Sequence, residues 1–328
     1  MPSLRPALLC PLIAGIALVT TNVLAQPMPW PTAKPIRIVV AYPAGGVSDV
    51  VARALGEKLS EDLKAPVVIE NRAGAAGNIG MDAVAKAAPD GYTFGFASIS
   101  PLTLNPHLMK ATYDPYTDIA PVVSVMYSPI LLVATPAASW QDMAGMIEAA
   151  RKAPGTVTWA TSGKGSVGHI MVEQVMRKAD VTLTDIPYKG AGQQMQDALG
   201  GQFSVMSINS SPAVAAQIEA GKLRPLAVGA PQRLSKYGNV PTFTEVGFAP
   251  ANMTSLFGLY APAQTSPAIL EQVNAAVNRA LKDPKVVELL ESSDNVATGG
   301  TAQAFAQDIK RESDSNARII KEANIQAQ

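Results

Sequence analysis

Cysteine is almost absent: 328 residues contain one, Cys10, together with two histidines, His107 and His169. A lone cysteine closes no intramolecular disulfide and builds no thiolate cage, which excludes a disulfide scaffold and a cysteine-ligated zinc site. Neither H-E-x-x-H nor G-x-S-x-G occurs, and the acidic residues are scattered along polar helix faces, so no metal site and no catalytic residue is assigned. Aromatic residues make up 5% of the chain, too few for a base-stacking platform, and 26 basic side chains are balanced by 26 acidic ones. That balance leaves no electrostatic footing for nucleic acid or an anionic membrane surface. No apolar run approaches the roughly 20 residues that a membrane-spanning helix needs.

What is present begins with the N-terminus. Arg5 precedes an apolar stretch from Ala7 to Val19, and Val23-Leu24-Ala25 gives small residues at the positions before Gln26. This is the pattern of a secretory signal peptide over residues 1–25, cleaved near Ala25. Cys10 falls inside it behind Leu9, where a lipoprotein signal wants a small residue, so a lipid anchor is not expected.

Beyond it, strands and helices alternate. Ile36–Ala41 is a short apolar run, Tyr42-Pro43-Ala44-Gly45-Gly46 breaks it, and Val47 to Leu63 shows helical spacing at Val51, Ala54, Leu55 and Leu59. Val67–Glu70 and Tyr92–Ala97 read as further strands, with a helix from Ile79 to Ala88 between them. The same grammar restarts after residue 125, with Ile130–Val133 strand-like and helices over 140–152, 167–179, 193–199 and 214–220. Three helical segments, 269–281, 284–291 and 302–323, close the chain. Strands separated by helices imply parallel βαβ units, hence two α/β lobes with a helical tail. No low-complexity linker parts the lobes, which suits a chain that crosses between them more than once.

Residues 163–168 spell G-K-G-S-V-G, a G-x-G-x-x-G behind a strand and ahead of a helix. A dinucleotide site would also want an acid about 20 positions on, and Asp185 falls near that distance. Against it, Lys164 and Ser166 replace the expected small or apolar fillers, the unit lies in a secreted chain, and the motif alone is unspecific. No cofactor is assigned. A Gly-rich turn without any ligand remains open beside an anion-holding loop: unpaired amides and a helix dipole take a carboxylate as readily as a phosphate. The Tyr42–Ser48 segment offers a second helix start of the same kind from the first lobe.

Several longer stretches, Pro35–Asp49, Val68–Gly80, Ala88–Thr93, Asp185–Gly190 and Ala220–Val228, closely resemble the Bug proteins, the solute receptors of tripartite tricarboxylate transporters known as the TctC family. The resemblance implies a periplasmic receptor with the two-lobed α/β fold of periplasmic binding proteins (type II) and a ligand cleft between the lobes. On this reading residues 26–128 plus 250–328 form one lobe and 129–249 an inserted second. It implies a small carboxylate ligand, delivery to integral membrane transporter subunits, and a monomeric receptor without catalytic activity; a carboxylate sensor signalling to a histidine kinase shares the same ligand chemistry. Carried onto this chain, the binding residues are Tyr42, Ala44, Gly45 and Ser48, then Ser98 and Ser100, then Thr161, Ser162, Gly163, Gly165 and Ser166, with His169 just behind and the turn at Tyr188 bordering the cleft. Where members of the family often carry an acidic pair, this chain has Ser207-Ile208-Asn209. Asn209 in the acid's place removes a charge that would suit an amino group, favouring an aliphatic dicarboxylate or an aromatic carboxylate over an amino acid.

Overall fold

The computed structural model describes residues 30–110, 112–323 and 325, so the segment read as a signal peptide lies outside the described residues. In chain order β1 (Ile36–Val40), α1 (Val47–Leu63), β2 (Val67–Asn71), α2 (Asn78–Ala85) and β3 (Thr93–Ser98) lead through two short turns, α3 (Ser100–Thr103) and α4 (Asn105–Leu108), into the sixteen-residue β4 (Ile119–Ala134). The middle of the chain supplies α5 (Met143–Lys152), β5 (Thr158–Thr161), α6 (Val167–Ala179), β6 (Thr184–Pro187), α7 (Ala191–Leu199), β7 (Val205–Asn209), α8 (Pro212–Glu219) and β8 (Arg224–Gly229). It returns through β9 (Thr254–Pro262) to α9 (Pro267–Ala280), α10 (Pro284–Glu291), β10 (Val296–Ala297) and α11 (Ala302–Ala323).

In one lobe β1 lies between β2 and β3, parallel to both; in the other β5 lies between β6 and β7, also parallel. The strands that join the lobes are antiparallel. From Ile119 to Pro129, β4 pairs with β9, and from Ile130 to Ala134 it pairs with β7 on one side and β8 on the other. A single strand is therefore a member of both sheets. The expected parallel units are present, but the joining strands depart from that pattern and β4 starts eleven residues before the strand read at Ile130.

The edge strands β2 and β6 stay partly exposed. The central strands of each sheet are buried on both faces, which is why Val39–Ala41 and Ile130–Ala134 read as continuous apolar runs. The period of two sorts their side chains: Ile38 and Val40 face one core of the first lobe with Leu55, Phe94 and Phe96, while Val39 and Ala41 face the other with Met81, Leu102 and Phe305. In the second lobe Leu132 packs with Trp159, Ile170 and Val172, and Leu131 and Val133 with Phe203 and Met206. Ile320 and Ile325 at the end of the chain join the Trp159 cluster together with Leu104 and Leu108, so the tail also clips onto the second lobe. Among the described residues no helix is long and apolar enough to cross a membrane.

Candidate functional site

The loop after β1 is built around Gly45, whose φ of +82° only glycine adopts without strain. Its N–H donates to Asp49 Oδ2 at 2.9 Å; Arg53 and Asn71 Nδ2 donate to the same carboxylate, and Asn71 also donates to the Tyr42 carbonyl. Burial pushes the Asp49 carboxyl up, but the bonds from Arg53, Gly45 and Asn71 outweigh it and hold it below the usual carboxylate value. The acid in the first turn of α1 is thereby spent on bracing the loop from behind. Tyr42 shares a 2.6 Å hydrogen bond with Ser98 Oγ, at the end of β3, and burial keeps its phenol protonated.

Opposite this loop the second lobe presents the starts of α6, α7 and α8. Ser166 caps α6 by accepting from the His169 N–H, and Ser211 caps α8 by accepting from the Val214 N–H. α1 and α7 are different: their caps are Gly46 and Gly190, and no side chain takes up their first amides. These two open ends face each other, Gly46 lying beside Ala191 and Gly190 against Pro43.

The two lobes enclose a cavity of about 210 Å³ into which all four helix starts converge. Of the fourteen residues singled out from the sequence, nine line it: Tyr42, Ala44, Gly45, Ser48, Ser98, Ser100, Ser162, Ser166 and Asn209. Five do not. Thr161 is fully buried and donates to Asp185 Oδ1 at 2.8 Å. Gly163 and Gly165 turn toward the first lobe, against Ala76 and Asn105. His169 is 3% exposed behind the loop. Tyr188 donates to Asp197 at 2.7 Å and packs edge-on against Phe203, away from the cleft. Only Gly168 of the three motif glycines reaches the cavity wall.

Sequence reasoning missed the apolar wall of Ile130, Met195, Ile208, Val214 and Phe257, and the hydroxyls of Ser207, Ser211 and Ser255. It took the 187–190 turn to border the cleft, which Gly190 does, but did not follow it into Ala191 and Gly192 at the start of α7. Ser207 Oγ is buried at the wall without a protein partner. None of the cavity residues carries a charged side chain. The dinucleotide reading of the G-x-G-x-x-G fails here: two of its glycines face the other lobe, Asp185 is turned onto Thr161, and the cavity is smaller than the roughly 300 Å³ where pockets for drug-sized ligands begin. Among the described residues no group of three or more His, Cys, Asp or Glu could hold a metal ion.

The Tyr42–Ser98 bond fixes two cavity groups at once. Tyr42→Phe is expected to weaken ligand binding by about 1 kcal/mol, roughly fivefold, in calorimetry; an unchanged affinity would separate that bond from recognition.

Two α/β lobes closed over a small cavity, one strand shared by both sheets, define the class of two-lobed solute-binding proteins. Residues 51–325 match the sequence model of the Tripartite tricarboxylate transporter family receptor, TctC, and the chain belongs to that family. It is 37% identical over 280 residues to the protein BugT of Bordetella pertussis, covering 84% of this chain and 85% of that one. A structure of an R. palustris protein with adipate superposes with a TM-score of 0.84 at 31% identity, covering 91% of this chain and 99% of that one. MatC from Rhodopseudomonas palustris with bound malate superposes with a TM-score of 0.83 at 27% identity, covering 88% and 99%.

Proposed function

We propose that this chain is a periplasmic receptor that closes two lobes over a small organic carboxylate and delivers it to the integral membrane subunits of a tripartite tricarboxylate transporter, without catalysing a reaction. The observation that carries the reading is a cavity with no charged side chain at which two helix starts remain uncapped by any side chain. Each helix start carries roughly half a positive charge, so α1 and α7 together offset about one carboxylate. No carboxylate lines the cavity to receive an ammonium group, which disfavours amino acids. The apolar wall suits a hydrocarbon stem, and the hydroxyls of Ser207 and Ser255 with the Asn209 amide suit a second polar end. Adipate and malate, bound by the two related proteins, both have this form.

A thermal-shift screen over aliphatic and aromatic carboxylates and their amino-acid counterparts tests this. At ~100 times its dissociation constant, the true ligand adds about 2.7 kcal/mol to the stability of the folded state. Small-angle scattering should then show a smaller radius of gyration with ligand than without, as the lobes close. Amino acids stabilising as strongly as dicarboxylates would sink the ligand class. A saturating ligand that leaves the scattering profile unchanged would sink the closure.

A further inference from the structure

His169 stands directly behind the Gly163–Ser166 loop without reaching the cavity. It holds two consecutive residues of that loop. Its backbone N–H donates to Ser166 Oγ at 3.3 Å, and its ring Nδ1 accepts from the Gly165 N–H at 3.4 Å. An amide nitrogen can only donate, so Nδ1 must present a lone pair and the ring hydrogen must sit on Nε2. Nε2 faces Glu173 Oε1 at 3.8 Å, one turn further along α6. From β6 comes Asp185, whose Oδ1 accepts from Thr161 and whose Oδ2 is buried without a protein partner. Lys164, in the loop itself, is the cation acting on the group. Across the lobe interface the loop meets neutral residues: Ala76 against Gly163, and Asn105 and Met109 against Gly165.

We infer that His169 is the positioning residue of this loop, holding Gly165 and Ser166 in the ligand-ready geometry only while its imidazole is neutral, so that acidification loosens the loop and weakens ligand binding. A proton added at Nδ1 would face the Gly165 N–H, and two donors cannot share one hydrogen bond. The ring is buried and cannot swing Nδ1 away freely, whereas Gly165, without a side chain, has the wider choice of backbone conformations by which its N–H can turn from the added proton. The loop gives way, and Ser166, the next residue, is part of the cavity wall.

The direction of the pH response follows from burial, which lowers the proton affinity of His169 below its ordinary value of 6.5, with Asp185 opposing and Lys164 assisting. The neutral ring, and the contribution that depends on it, is therefore present above that value and lost as pH falls through the lowered one. Burial also pushes the Glu173 and Asp185 carboxyls up, so the charge of the whole cluster changes on acidification. The consequence for binding rests on the carboxylate reading proposed above; the role of the ring does not.

With only two histidines in the chain, ¹⁵N-histidine labelling resolves both rings. For His169 the expected result at about pH 7.5 is a hydrogen on Nε2 and none on Nδ1, a titration below 6.5, and a Gly165 amide signal that titrates with it. In His169→Asn, whose Oδ1 accepts the same amide proton but cannot titrate, the Gly165 signal should stop responding over that range. Malate and adipate serve as binding probes. Between about pH 7.5 and a pH below the titration that the His169 ring signal itself shows, the wild type should lose roughly threefold to tenfold more affinity than His169→Asn, the worth of one hydrogen bond. Protonation of the probe acts equally on both proteins and cancels in that comparison. A hydrogen on Nδ1 at the higher pH, a Gly165 signal that titrates identically in His169→Asn, or equal pH slopes for the two proteins would each overturn the proposal. Failure of both probes to bind at either pH would count against those ligands and not against the ring, whose role the amide and imidazole signals decide.

Discussion

Gly190→Ala should cost the protein much of its ligand affinity while leaving each lobe folded. The backbone at Gly190 is extended, with φ 161° and ψ 179°, a conformation that alanine adopts freely, so no strain arises within the second lobe. The obstacle lies across the cleft: a Cβ at this position would overlap Cδ and Cγ of Pro43, which belongs to the first lobe. A proline ring cannot swing aside, and the least costly relief is to part the lobes. Overpacking of this kind costs about 1–3 kcal/mol, which here falls on the closed state alone and corresponds to a loss of roughly fivefold to hundredfold in affinity. Gly200→Ala, at the other end of α7, is the control, because its Cβ would meet nothing nearer than 3.6 Å. Calorimetry with the carboxylate selected by the screen, and circular dichroism for folding, decide the matter. Wild-type affinity in Gly190→Ala would mean that the lobes bind without closing as described.

The largest loss of stability is expected for Phe305→Ala. Phe305 lies on α11, is 1% exposed, and packs against Tyr260 at 5.4 Å between ring centroids. Its ring occupies the space that a side chain at position 258 of β9 would need. Truncation should therefore leave a cavity beside β9 and cost about 3–5 kcal/mol, a large share of the roughly 5–15 kcal/mol typical of a folded protein. Denaturant unfolding with an unchanged slope is the measurement. A double-mutant cycle checks the cause. Gly258→Ala should be less costly in the Phe305→Ala background than in the wild type, though not free of cost, because the carbonyl of Val123 remains 2.8 Å from the new Cβ. Strictly additive effects would refute the contact.

These two glycines also mark where the sequence could be read and where it could not. Helices α1, α6, α10 and α11 were legible to the residue, because their apolar stripes and starts are written locally in spacing, a serine cap or a proline at the first turn. The strand β9 was not. Thr254–Pro262 carries Gly258 at its centre, a residue that reads as a break, and what explains it, the ring of Phe305 and the carbonyl of Val123, lies far away in the sequence. The first half of β4 was hidden by Pro121 and Pro129, which a regular ladder excludes; here register shifts at 121–123 and 124–126 loosen the ladder along that half. The site divides the same way. The Tyr42–Ser48 turn announces itself through its glycines and the helix behind them. The two glycines of G-K-G-S-V-G that pack against Ala76 and Asn105 belong to a contact between lobes, which no local pattern encodes.

The strand shared by both sheets has a bearing on how such a receptor acquires a new ligand. Residues 119–129 of β4 complete one sheet and 130–134 the other, and the chain's last described residues pack into the core of the second lobe. Each sheet depends on a part of β4, so neither could be cut out of the chain as a cassette without severing that strand. Point changes in the short connections at the strand ends, 42–46, 162–166 and 188–190, are the route to a new ligand that leaves this paired framework undisturbed.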